Sequence, residues 1–282
     1  MSTTLYTIRL AHSPDSDDAF MFYALATGKI DTAQLHFEFV RHDVESLNQQ
    51  AARNAPLDIT ALSAHAYAYS ADQYAITTSA ASFGGPTWGP IVVTREAASL
   101  DDLRQRTIAI PGTMTSAYLA LRLVLGDFSY VTAPFNRIME GVRRGDYDAG
   151  LLIHEGQLTH TDLGLYEVIN LGRRWHDETG GLPLPLGVNA IRRALPEDVR
   201  SEASRLIRAS IEYGLAHRDE ALDYAMSFGR GLDRATVNTY IDWYVNDLTV
   251  DMGERGQQSI RLFLQKAYEA GILGKAVPVD FV

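Results

Sequence analysis

The chain has 282 residues, of which 46% are hydrophobic and 21% are charged, as in an ordinary globular protein of one large domain or two lobes. The net charge of -10, with scattered basic residues, excludes the positive stripe that binding to a phosphate backbone needs, so no nucleic acid partner is expected. The chain contains no cysteine, which excludes disulfides, thiolate metal sites and a cysteine nucleophile.

Two similar units of strand, turn and helix follow one another along the chain. In the first unit, apolar periodicity predicts strands over 6–11, 35–40 and 58–62, and helices over 19–26, 44–54 and 65–69. In the second, it predicts strands over 106–110, 130–133 and 149–153, and helices over 117–125 and 136–144. Amphipathic helices over 197–217, 233–244 and 257–270 complete the chain.

Alternating strands and helices of these lengths predict an α/β protein with two lobes, each built on a parallel sheet that is covered on both faces. Glycine- and proline-rich segments at 84–90 and 180–187 are the expected crossovers between the lobes. Residues 1–93 and 187–282 would then form lobe I, and residues 94–186 lobe II. Ligands of open α/β sheets bind beyond the carboxyl ends of the strands, so a cleft between the lobes is expected, with the crossovers as hinges.

His154 is the strongest candidate for a catalytic residue. It follows the apolar run 150–153 and precedes a Glu-Gly turn, which places it at the end of a buried strand and at the lip of the cleft. Imidazole takes or gives a proton near neutral pH, so a general base is one interpretation. The alternative is a histidine that caps the strand and hydrogen-bonds to backbone.

Other polar residues fall at the same edge of the predicted sheets. Thr115 and Ser116, with Thr113, begin a helix after a strand, where hydroxyl and backbone N–H groups either hold an anion or cap the helix. Ser63 occupies the matching position in the first unit, and Asn48 points either to the cleft or to solvent. Trp88, in the first crossover, either forms a wall of the cleft or packs the hinge.

Three acids, Asp15, Asp17 and Asp18, follow the first strand. They lack the glycine and the distal glutamate of a calcium loop, so capping of the next helix is expected for at least one of them. The sequence contains no glycine-rich phosphate loop, no Gly-x-Ser-x-Gly and no His-Glu-x-x-His, and neither a metal nor a cofactor is expected.

The first ten residues show no charged leader and no cleavage site, and no apolar run approaches the roughly 20 residues of a membrane helix. We therefore expect a cytoplasmic protein without a membrane partner. Its oligomeric state is left open, with a homodimer as one option.

Several segments together resemble one enzyme family nearly from end to end. They are His12-Ser13-Pro14, Asp18-Ala19-Phe20, DVESLN at 43–48, Ala117-Tyr118, GLLIHEG at 150–156 and TGGLPLPLG at 179–187. The chain resembles the 1,4-dihydroxy-6-naphthoate synthase family of the futalosine route to menaquinone. The sister family, chorismate dehydratase, shares the fold but differs at the His-Glu segment, which favours the synthase.

The resemblance implies a type II periplasmic-binding-protein-like fold that acts as an enzyme. It implies conversion of cyclic dehypoxanthine futalosine, a small carboxylate, to 1,4-dihydroxy-6-naphthoate with release of a sugar-derived fragment. It makes His154 the base and places five residues at the ligand: Asn48, Ser63, Thr115, Ser116 and Ala117. We add Asp18 to the predicted substrate-binding residues. The sequence departs from the family in the first loop, which reads SPDSDDAF at 13–20 instead of the usual SPCPNDTF.

We therefore predict a carbon-carbon lyase with a histidine general base. A chorismate dehydratase-like lyase and a non-catalytic protein that binds a small anion are the alternatives. Product assays separate the two lyases, and unchanged recovery of the substrate would favour the binding protein.

Overall fold

The computed structural model describes residues 6–282. In that range the chain forms eleven strands: β1 Tyr6–His12, β2 Leu35–Arg41, β3 Ile59–Ser63, β4 Tyr74–Ile76, β5 Ser82–Gly84, β6 Ile91–Thr94, β7 Ile108–Ile110, β8 Tyr130–Thr132, β9 Ala149–Leu152, β10 Tyr166–Asn170 and β11 Leu184–Arg192.

Helices separate most of these strands, and five of them follow the last strand. They are α1 Ser16–Met21, α2 Tyr23–Ala26, α3 Val44–Ala52, α4 Ala64–Tyr67, α5 Leu100–Leu103, α6 Ser116–Leu125, α7 Phe135–Arg144, α8 Gly156–Thr159, α9 Leu171–Glu178, α10 Glu197–Ala216, α11 Arg218–Met226, α12 Arg234–Tyr244, α13 Asp247–Val250 and α14 Gly253–Glu269. A short 3-10 helix spans His160–Leu163. No helix of the described residues is long and apolar enough to cross a membrane.

The first sheet has six strands, in the order β2-β1-β3-β11-β4, with β5 also paired to β11. Strand β1 is parallel to β2 and β3, whereas β11 is antiparallel to β3, β4 and β5. Strand β11 begins inside the segment 180–187 that was predicted to be a connection, and it continues to Arg192. The expectation of a purely parallel sheet is therefore wrong, because the returning chain enters this sheet as an antiparallel strand.

The second sheet has five strands, in the order β10-β6-β9-β7-β8. Strand β7 is parallel to β8 and β9, whereas β6 is antiparallel to both β9 and β10. This sheet is mixed as well, for the same reason: a strand that arrives through a crossover runs against its neighbours.

The chain passes between the sheets twice, so the protein is an α/β molecule with two lobes and two crossovers. It leaves the first sheet after Gly84 and returns to it at Leu184. The division into residues 1–93, 94–186 and 187–282 cuts through β6 and β11, and pairing assigns each whole strand to one sheet. We propose the connections 85–90 and 179–183 as the boundaries between the lobes.

The largest buried apolar cluster extends through both lobes. It includes Leu62 and Val188 of the first sheet, Val92 and Ile108 of the second, and Phe263 of α14. Burial of this shared surface holds the two lobes together.

Candidate active site

A cleft lies between the lobes and receives polar side chains from both. Its empty volume is about 760 Å³, including the part that is open to solvent. Small-molecule sites usually have volumes in the range of roughly 300–1,000 Å³. The polar groups that line it are Ser13, Asp15, Asp17, Asp18, Ser63, Ser82, Thr115, Ser116, His154, Gln157, Asn189, Tyr240 and Tyr244.

His154 lies at this cleft, two residues after β9 ends. Its side chain is only 12% exposed, and its ring lies 4.3 Å from the ring of Phe135 between centroids. The buried Nε2 has no hydrogen-bond partner among the described residues. The backbone of His154 is left-handed, with φ 64°, a conformation that a non-glycine residue adopts at some energetic cost and that concentrates at functional sites.

Asp15, on the loop after β1, faces His154. Its Oδ2 lies 3.2 Å from Nδ1 of the imidazole and accepts a hydrogen bond from the Ser13 hydroxyl at 2.7 Å. Its Oδ1 pairs with the guanidinium of Arg230. Burial alone would raise the pKa of the Asp15 carboxyl, but His154, Arg230 and Ser13 together hold that pKa below its ordinary value.

Arg230 joins two carboxylates across the cleft. Besides Asp15, it donates to Oε2 of Glu155 at 3.1 Å. The Ser16 hydroxyl donates to Oε1 of the same Glu155, also at 3.1 Å. Both carboxylates thus pair with one partly buried cation, which offsets part of the cost of burying them.

Asp17 and Asp18, on the first turn of α1, line the same wall of the cleft. Burial raises the pKa of Asp18 to about 7, and the charge of Asp15 adds to this shift. Burial, together with the neighbouring acids Asp18 and Asp15, raises the pKa of Asp17 well above its usual range. No side chain caps α1, so the predicted capping role of these acids is wrong. Asp18 instead accepts the backbone N–H of Ser13 at 2.7 Å.

The N-terminus of α6 forms the opposite wall. The Thr115 hydroxyl accepts the N–H of Tyr118 and donates to the carbonyl of Gly112, and the Ser116 hydroxyl donates to the carbonyl of Leu186. Thr115 is therefore a helix cap, as one of the two interpretations had it. Within the described part of the chain, the N–H groups of Ser116 and Ala117 have no backbone or side-chain acceptor.

Ser63 ends β3, precedes α4 as its N-cap residue and lines the cleft, and Asn48 lies behind it. Asn48 is fully buried; its Oδ1 accepts the Ser63 N–H at 2.8 Å, and its Nδ2 donates to the Ser63 hydroxyl at 3.0 Å. Asn48 thus points neither to solvent nor into the cleft, and it fixes the position of Ser63.

Six polar residues around the cleft were not found from the sequence: Ser82, Arg230, Gln157, Asn189, Tyr240 and Tyr244. Tyr244 donates to Oε1 of Gln157 at 2.8 Å, which links α12 to α8 across the lobes. The only sequence signal for Arg230 is its place between two glycines at 229 and 231, a loop signature without chemical meaning of its own.

Trp88 does not line the cleft. Its indole stacks on that of Trp243 at 6.5 Å between ring centroids and donates to the carbonyl of Phe83 at 3.1 Å. It therefore packs the crossover. Among residues 6–282, no three side chains of histidine, cysteine, aspartate or glutamate are grouped so as to hold a metal ion.

A family model described as menaquinone biosynthesis matches residues 8–269. The 1,4-dihydroxy-6-naphthoate synthase of Thermus thermophilus is 38% identical over 96% of this chain and 96% of its own. The enzyme of that name from Streptomyces coelicolor is 34% identical over 95% of each chain. This chain belongs to the menaquinone biosynthesis family.

Superposition on solved structures identifies the fold of this member of the menaquinone biosynthesis family. A crystal structure of an Archaeoglobus fulgidus protein superposes with a TM-score of 0.90 at 44% identity, covering 95% of this chain and 98% of that one. The alkanesulfonate-binding protein of Xanthomonas axonopodis superposes with a TM-score of 0.71 at 14% identity, covering 98% and 97% of the two chains. The second likeness shows the fold alone, which is that of periplasmic binding proteins.

Proposed function

We propose that the protein is a carbon-carbon lyase that converts cyclic dehypoxanthine futalosine to 1,4-dihydroxy-6-naphthoate, with His154 as general base and without a cofactor. The names of the two synthases that match along the whole chain support the reaction. We also propose that the reaction takes place in the cytoplasm, where biosynthetic enzymes act on soluble intermediates.

One observation carries the assignment of the base. Nε2 of His154 is buried at the cleft without a protein partner, on a backbone held in a left-handed conformation. An unsatisfied buried polar atom costs about 1–3 kcal/mol, so native structures retain few of them. A substrate hydroxyl or C–H group brought to Nε2 would supply the missing partner and give up its proton there.

We propose that the substrate carboxylate binds at the start of α6. The unbonded N–H groups of Ser116 and Ala117 lie at the N-terminus of α6. This terminus is the positive end of the helix dipole, where anions bind favourably. Ser63, whose hydroxyl oxygen and N–H are held by Asn48, lines the same cleft and is the proposed donor of a further hydrogen bond. These residues are the predicted substrate-binding set, with Asn48 acting through Ser63.

The acidic first loop is compatible with an anionic substrate. Arg230 pairs with Asp15, and the raised pKa values of Asp17 and Asp18 reduce their negative charge near neutral pH. A protonated carboxyl donates a hydrogen bond, so we propose that Asp18 contacts a substrate hydroxyl as a donor.

In the proposed reaction, His154 removes a proton from the sugar-derived part of the substrate. When the proton comes from a hydroxyl, the O–H electrons form a carbonyl on the sugar-derived fragment while the carbon-carbon bond between this fragment and the ring breaks. The electrons of the broken bond pass into the ring, which takes up a proton as the fragment departs. Aromatisation of the ring that remains supplies driving force that the protein need not provide.

The test is production of 1,4-dihydroxy-6-naphthoate by the purified protein and by His154→Ala. General-base catalysis contributes about 10²–10⁴-fold, so we expect His154→Ala to lose rate by a factor in that range. His36→Ala, at an exposed position on β2, is the matched control. Near-wild-type turnover by His154→Ala would remove His154 from the mechanism.

The same assay separates the alternative functions. Product formed from chorismate and not from the futalosine derivative would assign the dehydratase activity. Binding of the futalosine derivative followed by its unchanged recovery would assign a binding protein.

A further inference from the structure

The loop after β1 places a buried carboxylate against the proposed base. Asp15 is 5% exposed at its side chain, and its Oδ2 lies 3.2 Å from Nδ1 of His154. Three groups therefore converge on this carboxylate: the imidazole, the Ser13 hydroxyl and the Arg230 guanidinium.

The contact with Asp15 decides which nitrogen of the His154 imidazole carries the proton. A carboxylate oxygen only accepts, so the nitrogen that faces it carries the proton, and the other nitrogen is left as an acceptor. In His154 the nitrogen facing Asp15 is Nδ1, and the nitrogen without a partner is Nε2. The pairing thus favours the tautomer in which Nε2 is free to take a proton.

We propose that Asp15 is the positioning residue of His154, and that Ser13 and Arg230 hold Asp15 for this role. The proposal rests on the function proposed above, and it adds a residue that acts through the base without touching the substrate's reacting atoms.

An ion pair between Asp15 and Arg230 with a purely structural role would not need the contact between Asp15 and His154. Arg230 already binds Oδ1 of Asp15, which leaves Oδ2 for Ser13 and His154. The ring of Phe135 lies between the same groups, 4.3 Å from the His154 ring and 4.8 Å from the Arg230 guanidinium. The imidazole is therefore held on one side by the carboxylate and on another by an aromatic ring, and this leaves it little rotational freedom.

The pairing also joins the two lobes. His154 and Glu155 follow β9 of the second sheet, whereas Asp15 follows β1 of the first, and Arg230 precedes α12. The contact between Asp15 and His154 therefore spans the two lobes.

Other titratable groups also lie near His154. The carboxylate of Glu155 is adjacent in the chain and pairs with Arg230. From the packed elements, the groups that line the cleft with His154 are Asp17 and Asp18 of α1 and Tyr240 and Tyr244 of α12.

The test is Asp15→Asn, which keeps the shape of the side chain and removes its charge. The first measurement is the ¹⁵N spectrum of histidine-labelled protein, which reports which imidazole nitrogen carries the proton. The second is kcat for naphthoate formation at one fixed pH. Asp58→Asn is the control, because Asp58 is a partly buried carboxylate that accepts a backbone N–H, that of Arg9, and it does not line the cleft.

We expect wild type to show Nδ1 protonated and Nε2 unprotonated, and Asp15→Asn to gain the opposite tautomer. We expect kcat to fall by up to about 10⁴-fold, the loss seen when the histidine base of a serine protease loses its carboxylate partner. Adding Asp15→Asn to His154→Ala should cost little further rate.

An unchanged tautomer in Asp15→Asn overturns the proposal, whatever happens to kcat. If Asp15→Asn does not fold, Ser13→Ala removes one hydrogen bond to the same Oδ2 and should give a smaller effect in the same direction. If wild type produces no naphthoate, the proposed function fails, and the tautomer alone then decides whether Asp15 positions His154.

Discussion

At the scale of single residues, two buried histidines away from the proposed base make folding depend on pH. Burial lowers the pKa of His65 to about 4, and burial lowers the pKa of His12 to about 4 as well. The unfolded chain therefore binds more protons than the folded protein between about pH 4 and the ordinary histidine value near 6.5. The stability that each neutral imidazole supports is present above that upper limit and is lost as the pH falls towards 4.

His65→Gln tests this linkage. His65 contacts the carbonyl of Thr115 and the hydroxyl of Tyr69, so the variant should be less stable than wild type at pH 8. The deficit should shrink by about 1–2 kcal/mol at pH 5, where only wild type must keep an imidazole at position 65 neutral. Urea unfolding at both pH values measures it, with His36→Gln as the exposed control. A deficit that stays constant or grows at pH 5 would contradict the assignment of a lowered pKa.

The sequence was sufficient to place His154 but not its partners. A run of apolar residues followed by His-Glu-Gly is a local pattern that is visible in the sequence. In the structure the strand ends slightly earlier than this pattern predicts, two residues before His154. Arg230 lies 215 residues from Asp15 and 75 from Glu155, so no local pattern relates them. Asn48 was ambiguous for a similar reason, because the position of Ser63 fifteen residues away decides where its amide points.

At the scale of secondary structure elements, long periodic segments were predictable and short or proline-containing ones were not. Helices α3, α6, α7, α10, α12 and α14 lie close to their predicted ranges. Strands β4 and β5 have three residues each, too few for alternation to be visible. Strand β11 contains Pro185 and follows two glycines, which is typical of a connection, yet its residues pair with three neighbouring strands.

The first crossover depends on a close approach between Gly172 of α9 and the backbone of 85–88. A Cβ atom at Gly172 would overlap the carbonyl oxygen of Trp88 and lie 2.8 Å from that of Gly85. Gly172→Ala should therefore destabilise the protein by about 1–3 kcal/mol, the usual cost of overpacking. Gly274→Ala, where a Cβ meets nothing within 4 Å, is the control. Equal unfolding midpoints in urea for the two variants would contradict this packing.

At the scale of the whole molecule, the two lobes were predictable because the strand-helix unit occurs twice. Their shared core was not, since it depends on where the C-terminal helices return. Phe263 of α14 packs edge-on against Trp175 of α9, at 5.4 Å between ring centroids, in the cluster that also contains both sheets. The lobes are thus joined by buried apolar contacts as well as by the crossovers.

This shared core predicts cooperative unfolding. We expect one calorimetric transition, with equal calorimetric and van't Hoff enthalpies, because neither lobe can unfold without exposing apolar surface of the other. Phe263→Ala should lower the midpoint, at a cost of about 3–5 kcal/mol, without splitting the transition. Two separate transitions in either protein would show that the lobes are stable independently.

The most direct measurement for the whole account is a crystal structure with 1,4-dihydroxy-6-naphthoate bound. We predict the ligand between the lobes, with its carboxylate at the N–H groups of Ser116 and Ala117 and an oxygen or ring carbon facing Nε2 of His154 at hydrogen-bond or van der Waals distance. Asp15 should remain on Nδ1 of the same ring. A ligand bound outside the cleft, or one with the imidazole turned away from it, would contradict the proposed role of His154.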